Sequence, residues 1–498
     1  MQARPSMLIH CLPDLTTLAP AARTSAAVAS SRALYAQLEN GPRDDAAAAS
    51  AAYLNGQLAL AEALPCDLPA DPAALAGWAA PRSAAVARQY RHYLAERKQG
   101  APRSYFSNRA HVLYFLRCAA PTKLVDGAWL FGALRRWHEN EFRPLIKTYI
   151  EELGDGLPAK NHVVLYQRLL DNHACNDWRG LDDTYFNQGA IQLALAYAGA
   201  EYLPDYLPEM VGYNLGYEQL PLHLLITSYE LNELGIDPYY FTLHVTVDNA
   251  ATGHAHDAVD ALTRLLANAR DPAAFYQRVR AGYRLNELGA GTNAIIAAFD
   301  LEAELVRILG DKATVGQDMH GDYCRVAGKT INTWLADSAQ IPTLLRAFES
   351  TGWIKRGAPA AESRFWRLIQ GERAEMFGVF SPYEQQVLSD WIETAEQASA
   401  TARVASFRAR QRALEPLAAP GARSHASHPP RTLIRYPYAG LSGEHAAESD
   451  QLRSLERAVA MASTKADAMA LLIEQMSPAR HHSAAGLMAT RMFARLLA

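Results

Sequence analysis

The stretch FTLHVTVDNAATGHAHDAV, residues 241–259, sets four potential metal ligands into one run: His244, Asp248, His254 and His256. At about 3.6 residues per turn, His244 and Asp248 lie one above the other on a single helical face, close enough to hold one cation between them. An i,i+4 His/Asp pair is more often a surface hydrogen bond than a metal site, so the rest of the chain must decide between the two readings.

A large share of the histidines fall between His138 and His256, and only His320 lies between 257 and 424, so further ligands are sought upstream. Two upstream segments supply partners. In YIEELGDGLPAKNHVVLYQRLL (149–170) a helix carrying Glu151 and Glu152 is broken by Gly154, Gly156 and Pro158, and His162 opens the next helical run. Such a break lets a carboxylate and an imidazole from flanking turns converge, which a straight helix of the same length would not allow. In GYNLGYEQLPLHLL (212–225) Glu218 sits among Leu215, Tyr217, Leu220 and Leu222. A lone carboxylate in so apolar a setting is costly unless it is paired or bound to metal.

The chain has 498 residues, 49% of them hydrophobic and 20% charged, enough for two or three domains with a sizeable core. A net charge of −4 gives no electrostatic case for nucleic acid or an anionic membrane. The first residues, MQARPSMLIHCLPDLTTLAP, hold an apolar run too short for a signal segment and broken by His10 and Pro13, and no stretch reaches membrane-spanning length. The expected location is therefore the cytoplasm. Five scattered cysteines without a C-x-x-C pair argue against a disulfide framework or a zinc knot, leaving His and carboxylate to hold any metal. No G-x-S-x-G elbow, Walker loop or G-x-G-x-x-G points to hydrolysis or nucleotide binding.

Residues 17–98 are Ala- and Leu-rich with helical periodicity and read as about three helices. From 102 to 300 the segments stay helical and are punctuated by Gly and Pro, with C′ glycines expected at Gly235 and Gly289. Almost nothing alternates with period two, so the protein is read as all-α. GVFSPYEQQVLSDWIE (378–393) opens on an N-cap Ser381 with Pro382 at the first helical position. The division expected is an N-terminal helical extension (1–98), a central domain (99–300), a helical continuation (301–414), a linker (415–432) and a C-terminal helical tail (433–498). Within the tail, 454–476 and 484–498 read as two amphipathic helices. The tyrosines of PDYLP and GYNLGYE are read as packing residues with satisfied hydroxyls, His138 as a helix-surface residue, and His481 and His482 as solvated loop residues.

Helical bundles build carboxylate-bridged di-iron sites from acidic and His side chains on facing helices, and imidazole with carboxylate but no thiolate favours iron or manganese over structural zinc. The motifs EELGDG…KNH, NLGYE and DPYYFTLHVTVDN…GHA, in this order, resemble the heme-oxygenase-like di-iron oxidases, also described as iron-containing redox enzymes. The likeness covers roughly residues 100–300, with weaker likeness in GKTINTWL and MFGVFSPYEQQVLSDWI. It implies a heme-oxygenase-like helical bundle with Glu152, His162, Glu218, His244, Asp248 and His254 as ligands. The family's last His commonly follows the Asp by three residues, where this chain has Ala251, so the NAATG segment must unwind or bulge to bring His254 in, with Gly253 the natural place. His256 competes with His254. The earliest carboxylate is Asp126 of LVDGAWL, with Glu139 and Glu141 as substitutes.

The resemblance further implies two Fe(II) per chain with O2 as co-substrate. Glu152, Glu218 and Asp248 are the carboxylates expected to serve catalysis at that pair. The expected activity is O2-dependent oxidation of a small organic substrate, favoured as N-oxygenation of an amine or amino acid in specialised metabolism. C–H cleavage leading to desaturation or fragmentation is the runner-up, and a metal-free binding or scaffold protein on the same bundle is the rival of another class. The small-molecule substrate is the one partner required; an external electron donor and a homodimer are compatible with this reading, nucleic acid and membrane are not.

Overall fold

A computed structural model describes residues 30–42, 45–198, 205–247, 253–371, 374–394 and 443–498. The N-terminal part holds α1 (Ser31–Leu38), α2 (Ala46–Ala61) and α3 (Leu75–Lys98). The bundle follows with α4 (Arg109–Lys123), α5 (Arg143–Glu152), α6 (His162–His173), α7 (Asp183–Tyr197), α8 (Leu207–Tyr217), α9 (Leu222–Glu233), α10 (Tyr239–Val247), α11 (His254–Asn268) and α12 (Pro272–Arg284). Beyond it lie α13 (Thr292–Ala297), α14 (Leu301–Gly316), α15 (Ile331–Leu335), α16 (Ile341–Ser350), α17 (Arg364–Ile369) and α18 (Pro382–Glu393). The last described segment contains α19 (Gly443–Ala460), α20 (Lys465–Gln475) and α21 (Ala484–Leu497). Among the described residues the only strands are β1 (Arg325–Val326) and β2 (Lys329–Thr330), paired antiparallel with Arg325 opposite Thr330. The protein is an all-α bundle, as the missing period-two alternation requires.

Two helices form the centre. In α4, residues Ala110 to Leu113 and Phe115 to Pro121 are all buried, and in α7 every residue from Phe186 to Tyr197 is buried. Helices buried on nearly all faces form the core, and these two pack on each other. Around them, α8 runs against α12 so closely that a Cβ on Gly212 would strike the Val279 carbonyl oxygen and one on Gly282 the Glu209 backbone. Small residues on both faces let the two backbones touch, which fixes the end of α8 and with it Glu218.

The expected punctuation is present. Gly235 and Gly289 both adopt φ 72° after their helical segments, and Ser381 caps α18 in a box with Glu384, Ser381 Oγ accepting from the Glu384 N–H at 3.3 Å and Glu384 Oε2 from the Ser381 N–H at 2.7 Å. The tail differs from expectation. Residues 454–476 form the end of α19 and all of α20 rather than one helix, because Thr464 caps α20 in a box with Asp467 and so breaks the run. The linker expected at 415–432 lies outside the described residues. No described helix is long and apolar enough to cross a membrane.

Helices α20 and α21 pack on each other as a hairpin, and α21 covers the turn at 154–156 between α5 and α6. Met469, Leu472, Met476, Ala489 and Phe493 carry the buried face of this hairpin into the main core.

Candidate metal centre

Five helix ends and one helix interior deliver the polar side chains that meet inside the bundle. Asp126 follows α4 and precedes Gly127, whose φ of 80° turns the chain; a Cβ there would stand 2.9 Å from the Glu152 Cβ. Glu152 is the last residue of α5. Gly154, Asp155 and Gly156 then take φ values of 65°, 55° and 73°, a left-handed run that reverses the chain and returns His162 as the first residue of α6. Glu218 follows α8, His244 lies in α10, and His254 opens α11 behind an extended Gly253 (φ −96°, ψ −165°). All six polar residues are buried, with 5% exposure or less.

They form two groups of potential ligands that share one member. Asp126, Glu152, His162 and His244 make one; Glu152, Glu218 and His254 make the other, each group offering ligand atoms within 4.8 Å of one another. Glu152 divides its oxygens between them: Oε2 stands 2.5 Å from His162 Nδ1, and Oε1 stands 3.3 Å from His254 Nδ1. On the first side, His244 Nε2 is 3.2 Å and His162 Nδ1 3.9 Å from Asp126 Oδ2. On the second, His254 Nδ1 is 3.1 Å from Glu218 Oε2.

The contacts outside each group decide which nitrogens face inward. His244 Nδ1 donates to the Tyr240 carbonyl oxygen at 2.9 Å, which leaves Nε2 directed at Asp126. His254 Nε2 donates to Glu151 Oε2 at 3.0 Å, which leaves Nδ1 directed at Glu152 and Glu218. Metal-binding imidazoles are oriented in this way, one nitrogen held by an oxygen and the other turned toward the ion. His162 Nδ1 is buried against Glu152 Oε2, 2.5 Å away. A buried imidazole nitrogen and a buried carboxylate oxygen set this close are held by a shared cation, a proton or a metal ion.

Asp126 is the most firmly held. Tyr217 Oη donates to its Oδ1 at 2.8 Å and Tyr240 Oη to its Oδ2 at 2.6 Å, while Lys123 Nζ donates to Tyr217 Oη at 2.8 Å. Burial pushes the Asp126 carboxyl up, but Lys123 and His244 outweigh it and hold it below its ordinary value. Burial likewise opposes ionisation of Glu152, and His162 and His254 outweigh it. Burial together with the Asp126 charge raises both tyrosines well above their ordinary range, so they remain donors. Three buried carboxylates and three imidazoles, with no thiolate among them, fit hard or borderline divalent cations such as iron and manganese. A cavity of about 340 Å³ reaches this cluster; Glu152, Glu218 and His244 line it together with Lys123, Tyr217, His223 and Leu224.

Residues 113–287 match the family described as iron-containing redox enzymes. The matched segment holds all six clustered residues, from Asp126 to His254. No curated protein and no solved structure matches the chain.

Within this matched segment, the structure brings together Asp126, Glu152, His162, Glu218, His244 and His254, and Asp248 lies outside the described residues. Glu139 pairs with Arg136 and Glu141 accepts from Asn268, both away from the cluster. His256 is exposed, since two residues along a helix turn it from the face that carries His254. His138 is exposed as expected, in a turn. His481 is a correction: it is 2% exposed, not solvated, because the α20–α21 hairpin buries it against Asn161. The tyrosine hydroxyls expected to be satisfied are so: Tyr206 on Asn55 and Tyr213 on Gln188, besides Tyr217 on Asp126. Sequence reasoning passed over Tyr240 and Asn161, and named Glu151 beside Glu152 without giving it a role. Tyr240 was findable, lying four residues before His244 and hence on its helical face.

Proposed function

We propose that the protein is a non-heme di-iron oxidase that uses O2 to oxidise a small organic substrate bound in the cavity beside Glu218 and His244. The observation that carries this reading is the division of Glu152 between two ligand groups, the arrangement expected of a carboxylate that bridges two cations. Asp126, His162 and His244 would hold one ferrous ion with Glu152. Glu218 and His254 would hold the other, with Asp248, four residues after His244 in the sequence, completing it. Two ferrous ions supply the electrons that reduce dioxygen and so drive oxidation of the substrate.

The chain's own residues then have separate tasks. Tyr217 and Tyr240 hold Asp126 in its rotamer, and Glu151 keeps the His254 proton on Nε2. His223, half-buried in the cavity wall, is held below its ordinary pKa by desolvation and by the Lys123 charge, so its imidazole stays neutral and can accept a hydrogen bond from a substrate amine. A neutral amine has the lone pair that N-oxygenation consumes, and N-oxygenation of an amine or amino acid is the favoured reaction.

The test is to load purified protein anaerobically with Fe(II) and admit isotopically labelled dioxygen with a panel of amines and amino acids. The reading expects oxygen uptake only in the iron-loaded protein and one labelled oxygen atom on the nitrogen of the product. Iron loading without oxygen uptake contradicts it.

A further inference from the structure

His244 and His254 each have a hydrogen bond that orients the ring from behind, whereas the polar contacts of His162 are those of its Nδ1 with Glu152 and Asp126 in the cluster itself. Its ring is set by where the backbone delivers it. That delivery depends on Asn161, the N-cap of α6, which is fully buried. Asn161 Oδ1 accepts from the Val164 N–H at 3.0 Å, the capping bond that starts the helix. Its Nδ2 donates to the Leu153 carbonyl oxygen at 3.3 Å, closing the reversed turn back onto the end of α5.

The remaining Nδ2 proton goes to a residue 320 positions away: it is donated to His481 Nδ1 at 3.1 Å. His481 lies in the connection of the α20–α21 hairpin, and other bonds clamp that hairpin onto the same place. Tyr149 Oη donates to the Met476 carbonyl oxygen at 2.6 Å, and Arg491 Nη1 donates to the Gly156 carbonyl oxygen at 2.9 Å. Gly156 lies so close to α21 that a Cβ on it would strike the Leu487 carbonyl oxygen. A segment outside the matched family region thus grips both ends of the loop between Glu152 and His162.

We propose that His481 is a positioning residue for the metal centre: by accepting the Asn161 amide proton it fixes the N-cap that aims His162 at Glu152 and Asp126. This rests on the di-iron reading for the identity of the ion, but not for the hairpin's grip on the loop. The geometry assigns the C-terminal hairpin a share in metal affinity although it supplies no ligand. The asparagine rotamer leaves no other assignment, because its oxygen is already committed to Val164.

The experiment uses the full chain and two variants. His481→Leu keeps the bulk and removes the acceptor; His481→Asn places an oxygen where Nδ1 stands. Co(II) titration, read by its visible absorption, reports metal binding, and hydrogen exchange over 161–165 in metal-free protein reports the cap. The expected result is two Co(II) ions per chain in the wild type and in His481→Asn. In His481→Leu one of the two is held about 10–100-fold more weakly and exchange over 161–165 is faster. Wild-type binding and exchange in His481→Leu overturn the inference and leave the di-iron reading standing. Equal weakening in both variants also overturns it, since bulk and not the acceptor would then be at work. A wild type that takes up no Co(II) overturns the di-iron reading instead, and the exchange rates alone then decide whether His481 holds the cap.

Discussion

The two halves of the candidate centre are built differently. On the Asp126 side Tyr217 and Tyr240 hold the carboxylate, the His162 and His244 rings lie 4.2 Å apart, and the Asp126, His162 and His244 side chains are no more than 6% exposed. On the Glu218 side the orienting partner of His254 is Glu151, whose side chain is 31% exposed and whose own partner, Lys147, is 48% exposed. A tyrosine hydroxyl in a dry interior cannot exchange its bond for one to water, whereas an exposed carboxylate can. The enclosed half is therefore the tight position and the other half the exchangeable one.

The largest effect that would sharpen this contrast comes from Asp126→Ala, which removes the anchor of the enclosed side. Its iron content should fall by about half relative to wild type, with loss of turnover, because the Glu218 side keeps its ligands. Iron at the wild-type level in this variant would break the contrast. Tyr240→Phe leaves the ligands in place but deletes one of the bonds that hold Asp126. Metal affinity on the enclosed side should drop about 10–100-fold, measured by competition with a chelator.

Gly127→Ala comes next. It forces a non-glycine residue into φ 80° and sets its Cβ against Glu152, so unfolding in urea should show a loss of about 1–2 kcal/mol even without metal. The smallest change belongs to Glu151→Gln, which should weaken only the Glu218-side ion, and less than Tyr240→Phe weakens the other. A larger effect at Glu151 than at Tyr240 would reverse the assignment of tight and exchangeable positions.

The hairpin adds a pH dependence. Burial, and then the His482 charge, push the His481 imidazole down to about 3 from its ordinary value of 6.5. The unfolded chain therefore binds one more proton than the folded chain between these values, and stability falls as pH drops through that window. Thermal unfolding from about pH 7 to about pH 5 should show a smaller loss in His481→Asn than in wild type. Parallel curves would mean that His481 titrates normally.

Much of the centre was legible because its signals are local. The GDG and Pro158 break announced that Glu152 and His162 could meet, and Glu218 stood out as one acid in an apolar run. Asp126 could be preferred but not separated from Glu139 and Glu141, because the distinction lies in tertiary partners: Arg136 and Asn268 occupy the two glutamates, and Tyr217 and Tyr240 receive the aspartate. The choice between His254 and His256 needed the extended Gly253 that starts α11. His481 was illegible for a stronger reason. Two adjacent histidines near a chain end resemble a solvated loop, and only a contact spanning 320 residues shows otherwise.

The central claim is that Glu152 serves two ions at once, and the measurement that tests it most directly is metal content per chain in Glu152→Ala beside Asp126→Ala and Glu218→Ala after identical anaerobic iron loading. If Glu152 bridges, its variant loses both ions while each of the others retains one, with far-UV circular dichroism helical in all three. A Glu152→Ala protein that keeps as much iron as the other two would show that the carboxylate belongs to one ion only, and would contradict the account.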